Sequence, residues 1–193
     1  MRHIPGTLMS AIVGKLAEKD TVLLALDGPC GSGKSTMGET LRDTFQATGS
    51  ALFHMDDFFL QPHQKSQERL QEPGGNVDRE RFLREVIQEI KRGDHFVYNR
   101  YDCQKGTLQA VFPPPARLVI IEGAYSLHPE LRKHYDIKVF LDIDPVKQLE
   151  RLRERVPKDR LQRFIQEWIP LENRYFATFQ VKSTADLVLI AGE

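Results

Sequence analysis

Short apolar runs alternate with amphipathic stretches along the chain. Five runs of mostly apolar residues predict buried strands at 21–26, 51–55, 118–121, 137–141 and 187–190. Strands of a parallel sheet are apolar throughout because helices cover both of their faces. Apolar residues at helical spacing lie between these runs. The alternation therefore predicts a doubly wound α/β fold, with a five-stranded parallel sheet and helices on both faces.

Apolar positions three or four residues apart mark the predicted helices that precede the third run. Asp78 is predicted to cap the last of these helices, with Val77 and Phe82 as a hydrophobic staple. The apolar positions of the three helices are Met9, Ile12, Val13 and Leu16, then Met37, Leu41 and Phe45, then Phe82, Val86, Ile87 and Ile90.

Three segments depart from the alternation. The polar stretch 61–76 contains two prolines and a Gly-Gly pair and predicts a long loop. Residues 95–112 are ambiguous, with a short hairpin as one interpretation. Asp144-Pro145 begins a long helical tract, which we expect to break near Pro157 and again near Pro170.

Composition and charge narrow the class of protein. We expect the 193 residues to form one domain, in which 27 basic residues balance 27 acidic ones. This balance does not favour a dedicated nucleic-acid or membrane-surface protein. The first residues lack the apolar core of a signal peptide, and two cysteines are too few for a disulfide framework. The sequence predicts a cytoplasmic protein without nucleic-acid or membrane partners, and it leaves a homo-oligomer open.

A glycine-rich segment follows the first predicted strand and precedes a predicted helix. It contains the pattern G-x-x-x-x-G-K-[ST], in which backbone amides surround the phosphates of a nucleotide. Lys34 is expected to reach the outer phosphates, and the Ser35 hydroxyl is expected to bind Mg²⁺. The predicted phosphate loop consists of Gly28, Pro29, Cys30, Gly31, Ser32, Gly33, Lys34, Ser35 and Thr36.

Other motifs separate the classes of protein that carry such a loop. A GTPase needs an Asp-x-x-Gly switch after the loop, and the sequence has none, although Asn99-Arg-Tyr-Asp102 superficially resembles a guanine-reading motif. A small kinase needs an acid for the acceptor hydroxyl and a mobile arginine-rich lid. Asp56 follows the second predicted strand, and an arginine-rich tract follows the fourth. These features favour a small-molecule kinase.

Seven motifs occur along the chain in an order and spacing that point to one family. They are 27–36, Met55-Asp-Asp-Phe-Phe59, Asn76-Val-Asp78, Tyr101-Asp102, Ile121-Glu-Gly123, the arginine tract from Arg151, and Ala185-Asp-Leu-Val-Leu189. With them the chain resembles the uridine kinase and phosphoribulokinase family over most of its length. The resemblance implies a P-loop NTPase fold, an arginine-rich lid at about residues 148–168, and the cofactors ATP and Mg²⁺.

The resemblance also implies two acidic roles. Asp56 would be the catalytic residue that accepts the proton of the acceptor hydroxyl, and Glu122 would be the acidic partner of the Mg²⁺ site, acting with Ser35 through a water. A structural alternative exists for each, because Asp56 or Asp57 could cap a turn and Glu122 could cap the turn beside Gly123. Asp57 stands where the family often has serine, and support of the Mg²⁺ site is one interpretation of it.

Arg151 and Arg155 match the family lid best, and we expect both to act in catalysis by closing over the transferring phosphoryl group. A solvated charged face, paired with Glu150 and Glu154, is the alternative. The apolar residues of the tract predict a packing stripe of the lid helix rather than a stacking site. These residues are Leu161, Phe164, Ile165 and Trp168.

The acceptor is the least constrained part of the prediction. The resemblance places Asp78, Tyr101 and Asp102 where the family holds the sugar and base, with helix capping as the alternative for Asp78. The segment around Tyr101 is shorter than in typical uridine kinases, and no clear histidine is present to read a pyrimidine edge. We predict a kinase for a nucleoside-like substrate such as uridine or cytidine. The alternatives are pantothenate or a sugar phosphate as acceptor, or a nucleotide-binding regulatory protein with incidental ATPase activity.

Overall fold

A five-stranded parallel sheet forms the centre of the protein, whose computed structural model describes residues 3–191. Five strands pair in the order β2-β5-β1-β6-β7, while β3 and β4 form a separate antiparallel hairpin. The predicted parallel sheet and the hairpin interpretation of 95–112 are both confirmed. The strands of the described chain are β1 Val22–Asp27, β2 Ser50–His54, β3 Tyr98–Asp102, β4 Thr107–Val111, β5 Leu118–Glu122, β6 Ile137–Asp142 and β7 Leu187–Ile190.

The connections between strands are mostly helical. The α-helices of the described residues are α1 Gly6–Glu18, α2 Lys34–Thr44, α3 Gln67–Gln71, α4 Arg79–Phe82, α5 Gln88–Arg92, α6 Pro129–Arg132, α7 Pro145–Arg155, α8 Lys158–Arg163 and α9 Ile169–Phe179. The π-helical turns Leu83–Ile87 and Phe164–Trp168 join α4 to α5 and α8 to α9. Short 3₁₀ turns occur at Gln46–Thr48, Met55–Phe58, Pro62–Gln64 and Val181–Thr184. No helix among residues 3–191 is both long enough and apolar enough to span a bilayer.

Side chains of the central strand β1 enter two different cores. Val22, Leu24 and Leu26 pack with helices α1 and α2 on one face of the sheet. Leu23 and Ala25 point to the other face and pack with residues of the α4–α5 tract and of α9. Successive residues of a strand point to opposite faces, so one apolar run supplies both cores. This arrangement is the predicted doubly wound fold.

Two predicted packing stripes differ in detail from the structure. In α1 the fully buried residues are Leu8 and Ile12, whereas Val13 is 54% exposed. In the arginine-rich tract Phe164 is buried, but Ile165 is 39% exposed. A helix turns by about 100° per residue, so the residue next to a buried position can face solvent. Apolar character alone did not show which of these residues is exposed.

The polar segment 61–76 is not the plain loop that the sequence predicted. It contains a 3₁₀ turn and helix α3, whose first turn is capped by the Ser66 hydroxyl, which accepts from the Arg69 amide at 3.1 Å. The Arg69 side chain also donates to the carbonyl oxygens of Gly75 and Val77, at 2.9 Å in each case. Side-chain bonds to backbone thus supply the order that apolar periodicity does not show.

The helical tract after β6 breaks at one of the two predicted prolines. Val156 is extended and ends α7 just before Pro157, as predicted. At Pro170 the helix continues instead, because the π-helical turn Phe164–Trp168 precedes it and α9 includes the proline in its first turn. A local change of helical pitch accommodates the missing amide.

Candidate active site

Three predicted site segments meet at one edge of the sheet. The phosphate loop follows β1, Glu122 ends β5, and Asp56 lies in the turn Met55–Phe58 after β2, which we call the β2 turn. These three strands are neighbours in the order β2-β5-β1. Open α/β sheets bind their ligands at the carboxyl ends of the strands. The sheet order therefore brings together segments that are far apart in sequence.

The loop between β1 and α2 has a backbone suited to phosphate. Gly28 has a φ of +143°, and a Cβ there would lie 2.1 Å from the carbonyl oxygen of Leu141, so a larger residue does not fit. Gly33 is left-handed, with a φ of 98°, and directly precedes α2. The buried Ser32 hydroxyl has no hydrogen-bond partner within residues 3–191. A phosphate group fits this loop, because it would accept from the loop amides and from the unpaired hydroxyl.

Lys34 lies within the same loop. Its side chain is largely buried, and its ammonium group donates to the carbonyl oxygens of Gly28 at 2.7 Å and Pro29 at 2.9 Å. An ammonium group has three donors, and anionic oxygens accept from it more strongly than carbonyls do. The position of Lys34 therefore suits a ligand that brings negative charge into the loop.

Glu122 connects the phosphate loop with strand β2. Its Oε2 accepts from the Ser35 hydroxyl at 3.1 Å, and its Oε1 lies 2.5 Å from His54 Nδ1. His54 and Glu122 are paired in the parallel register of β2 and β5, so both side chains leave the sheet on the same face. The hydrogen bond to Glu122 raises the pKa of His54. A hydroxyl and carboxylate oxygens are a ligand set that suits Mg²⁺.

Asp56 is surrounded by charges from three other parts of the site. Desolvation by the surrounding residues raises the pKa of Asp56, although the residue as a whole is exposed, and the negative charge of Glu122 raises it further. The positive charges of Lys34, His54 and Arg155 act in the opposite direction. One carboxylate thus lies within electrostatic reach of the phosphate loop, of the Ser35–Glu122 pair and of the predicted lid. A raised pKa also makes it a stronger base for an acceptor hydroxyl.

Buried Arg81 fixes the β2 turn. Its guanidinium group donates to the main-chain carbonyls of Asn99, on β3, and of Asp57, the latter at 3.1 Å. It also lies 4.4 Å from the centroid of the Phe58 ring. The Phe58 carbonyl accepts from the Asp78 amide at 2.7 Å. These contacts hold the turn between α4 and the hairpin.

The residues predicted to hold the acceptor also make contacts within the protein. Asp78 caps α4 as predicted, because its Oδ1 accepts from the Arg81 amide at 3.0 Å, while its Oδ2 accepts from Gln64 Nε2 at 2.7 Å. Tyr101 is buried in β3. Asp102 Oδ1 accepts from two main-chain amides of the hairpin turn, at 2.9 and 3.1 Å. The capping role of Asp78 is confirmed, and acceptor binding by all three residues stays a prediction.

The predicted lid segment, residues 148–168, begins against the phosphate loop. Gln148 Nε2 donates to the Cys30 carbonyl at 2.8 Å, and the Arg151 guanidinium donates to the Gly31 carbonyl at 3.2 Å. Further along, the Arg155 guanidinium lies 6.0 Å from the centroid of the Phe164 ring. The structure therefore places Arg151 beside the loop, and its role in a closing lid stays a prediction.

The far end of the lid segment has a different character. Arg160 and Arg163 lie over the ring of Trp168, at 5.9 and 5.0 Å from its centroid. Arg163 also forms an ion pair with Glu167 at 3.3 Å. Arg163 is thus part of a charged surface. A solvated charged face is the alternative to a lid role that the sequence had left open for the arginines of this tract.

Sequence reasoning missed His54, Arg81 and Gln148. His54 and Arg81 each gave a weak signal, a polar residue inside a predicted strand and a basic residue beside an apolar helix position. Gln148 gave none, since a polar residue on a charged helix is expected to face solvent.

Comparison with known proteins gives the family and two named relatives. Residues 23–164 match the Phosphoribulokinase / Uridine kinase family. The uridine kinase of Clostridium novyi (strain NT) is 27% identical over 129 residues, which are 64% of this chain and 62% of that protein. The match therefore covers less than two thirds of that relative. The uridine kinase of Staphylococcus aureus (strain JH9) is 26% identical over 151 residues, which are 74% of this chain and 72% of that protein.

Solved structures show the same fold over nearly the whole chain. A possible uridine kinase from Bacillus stearothermophilus superimposes with a TM-score of 0.69 at 21% identity and covers 95% of this chain and 99% of its own. A putative fructose transport system kinase from Silicibacter sp. TM1040 gives a TM-score of 0.68 at 23% identity, over 94% and 97% of the two chains. The family match includes the phosphate loop, the β2 turn, Glu122 and most of the lid segment. The chain thus belongs to the phosphoribulokinase and uridine kinase family of P-loop kinases.

Proposed function

We propose that this protein transfers the γ-phosphoryl group of ATP to a hydroxyl group of a small molecule, with a nucleoside such as uridine or cytidine as the acceptor. The observation that carries the proposal is the position of Asp56, whose pKa responds to the charges of Lys34, Glu122 and Arg155. A regulatory nucleotide-binding protein does not need a basic carboxylate at that place. The uridine kinases among the relatives support a nucleoside as the acceptor.

The phosphate loop would bind ATP through its amides and the Ser32 hydroxyl. Lys34 would exchange the carbonyls of Gly28 and Pro29 for phosphate oxygens, which gain negative charge as the bond to the leaving group breaks. Ser35 and Glu122 would hold Mg²⁺, which neutralises charge on the phosphates when it is bound. Because the hydrogen bond from His54 fixes one oxygen of Glu122, the other faces Ser35.

Asp56 would orient the acceptor. Its carboxylate would accept a hydrogen bond from the acceptor hydroxyl, align the oxygen with the γ-phosphoryl group and take up the proton as the new bond forms. Arg81 would keep the β2 turn in place during this step. Arg151 and Arg155 would offset charge on the transferring group and exclude water when the lid closes.

Nucleotide together with acceptor is expected to slow amide exchange in the lid segment. Gln148 and fully buried Leu152 already attach α7 to the rest of the protein. Val156 and Pro157 interrupt the helix, so the largest change is expected in residues 156–163, where arginine–phosphate bonds can order the chain. Hydrogen–deuterium exchange with and without MgADP and acceptor measures this change, with peptides of buried β6 as the internal control. High protection without ligand, unchanged on addition of both, would assign the lid arginines to a rigid surface.

A screen of acceptors tests the proposed function. The purified protein is incubated with MgATP and one candidate at a time: pyrimidine and purine nucleosides, pantothenate, or sugar phosphates. ADP release is measured by a coupled assay and the product by mass spectrometry. We expect a phosphorylated nucleoside, with uridine or cytidine giving the highest kcat/KM.

Other outcomes of the screen would contradict the proposal in distinguishable ways. Phosphorylated pantothenate or a doubly phosphorylated sugar would keep the reaction but replace the acceptor. ADP release at the same slow rate with every candidate, and without a phosphorylated product, would support a regulatory protein with incidental ATPase activity.

A further inference from the structure

Helix α9, which follows the lid segment, contacts the phosphate loop and the residue that precedes it. The Tyr175 hydroxyl donates to Asp27 Oδ2 at 2.8 Å, and Oδ1 of the same carboxylate accepts from the Gly28 amide at 2.7 Å. Three residues before Tyr175, Glu172 Oε2 accepts from the Cys30 amide at 2.8 Å. Tyr175 is fully buried and Glu172 is only 7% exposed. Both side chains lie between the helix and the loop.

These contacts fix the first part of the loop. Pro29 has no amide hydrogen, so Gly28 and Cys30 carry the first two N–H groups, and each donates to a carboxylate. A loop with several glycines loses much conformational entropy when it binds a ligand in one shape. Contacts that hold the shape beforehand reduce this loss and increase affinity.

The two carboxylates are costly to bury at this place. Burial raises the pKa of Asp27 to about 6, although the Leu127 amide, Tyr175 and the Gly28 amide all act to lower it. Burial also raises the pKa of Glu172. Apolar side chains could join a helix to a loop without this desolvation cost. A hydrogen-bonding role toward the loop amides explains why polar groups stand here.

We propose that Glu172 and Tyr175 are positioning residues for the nucleotide, because they hold the phosphate loop in its binding shape from helix α9. The proposal depends on nucleotide binding by the loop and is independent of the acceptor. Glu172 acts directly on the Cys30 amide, and Tyr175 acts through Asp27.

Two buried tyrosines provide a matched test. Tyr175→Phe removes the hydroxyl that bonds to Asp27, whereas Tyr135→Phe removes a buried hydroxyl that has no partner in the described part of the chain. Affinity for MgADP is measured by calorimetry and stability by thermal unfolding. We expect Tyr175→Phe to weaken MgADP binding about tenfold, the loss typical of one hydrogen bond to a charged group, and Tyr135→Phe to leave it within about twofold. Equal affinities for the two variants and the parent would overturn the proposal, even if Tyr175→Phe melts at a lower temperature.

A second pair of variants tests Glu172 and separates its hydrogen bond from its charge. Glu172→Ala removes the acceptor of the Cys30 amide, whereas Glu172→Gln keeps an oxygen there and loses only the charge. We expect Glu172→Ala to weaken MgADP binding and to raise KM for ATP more than it lowers kcat, and Glu172→Gln to recover most of the affinity. Equal losses in the two variants would show that the charge matters rather than the hydrogen bond, and would contradict the positioning role. Because MgADP binding needs no acceptor, these results stand apart from the outcome of the acceptor screen.

Discussion

Replacing Lys34 by alanine is expected to reduce phosphoryl transfer by at least about a hundredfold and to leave the fold intact. Removing one group that stabilises charge in a transition state typically costs about 3–4 kcal/mol. The substitution removes the hydrogen bonds from Lys34 to the carbonyls of Gly28 and Pro29, but Asp27 and Glu172 still hold the first amides of the loop, so we expect the loop to keep its backbone conformation. Turnover with the best acceptor of the screen measures the first effect, and thermal unfolding measures the second.

Lys15→Ala is the control for this variant. Lys15 lies on α1 and pairs with Glu18 at 2.9 Å, with 41% of its side chain exposed. Exposed pairs of this kind contribute little, so we expect activity and stability close to those of the parent. Near-parental turnover of Lys34→Ala would show that the phosphate-loop assignment is wrong.

The parts of the site that depend on local sequence could be predicted before the structure. The phosphate loop needs glycines and a lysine at fixed spacing, and a buried strand must precede it, so 28–36 was recognisable as one piece. The cap at Asp78 is likewise local, since its carboxylate bonds to an amide three residues later.

The residues that hold the phosphate loop in place could not be predicted in this way, because they come from distant parts of the chain. Tyr175 meets Asp27 across 148 positions, and Glu172 meets Cys30 across 142. In the sequence Tyr175 has the pattern of a core aromatic residue and Glu172 that of a surface residue. Only the packing of α9 against the phosphate loop gives them a common partner, and hydrophobic periodicity carries no information about it.

The contact between Glu122 and His54 could not be predicted from the sequence pattern either, because it depends on the order of the strands in the sheet. Glu122 and His54 are 68 positions apart but are lateral neighbours, because β5 lies between β1 and β2. The apolar runs predicted five parallel strands without their order. The proximity of Asp56 to Glu122 therefore followed from the family resemblance and not from the pattern of the chain.

Asp56→Asn is expected to lower kcat by about 10²–10⁴-fold, with a much smaller effect on the affinity for MgADP. The amide has nearly the shape of the carboxylate, but it does not accept the proton of the acceptor hydroxyl, and general-base groups contribute on this scale. Positioning and proton acceptance act mainly in the transition state, so the loss belongs in kcat. Steady-state kinetics with varied acceptor, together with calorimetry for MgADP, separate the two quantities.

Asp57→Asn is the matched control, because it makes the same change at the next position of the same turn. Burial and the negative charge of Asp57 raise the pKa of Tyr98 on β3, and Arg81 holds the main-chain carbonyl of Asp57, which the substitution leaves in place. The charges that act on Asp57 include Arg100 of the hairpin, whereas those that act on Asp56 include Lys34 and Arg155. We expect Asp57→Asn to lower kcat less than about tenfold, because this carboxylate is not expected to take up the proton of the acceptor hydroxyl. Equal and small losses in both variants would leave the two residues as caps of the β2 turn, and the acceptor would then need another base.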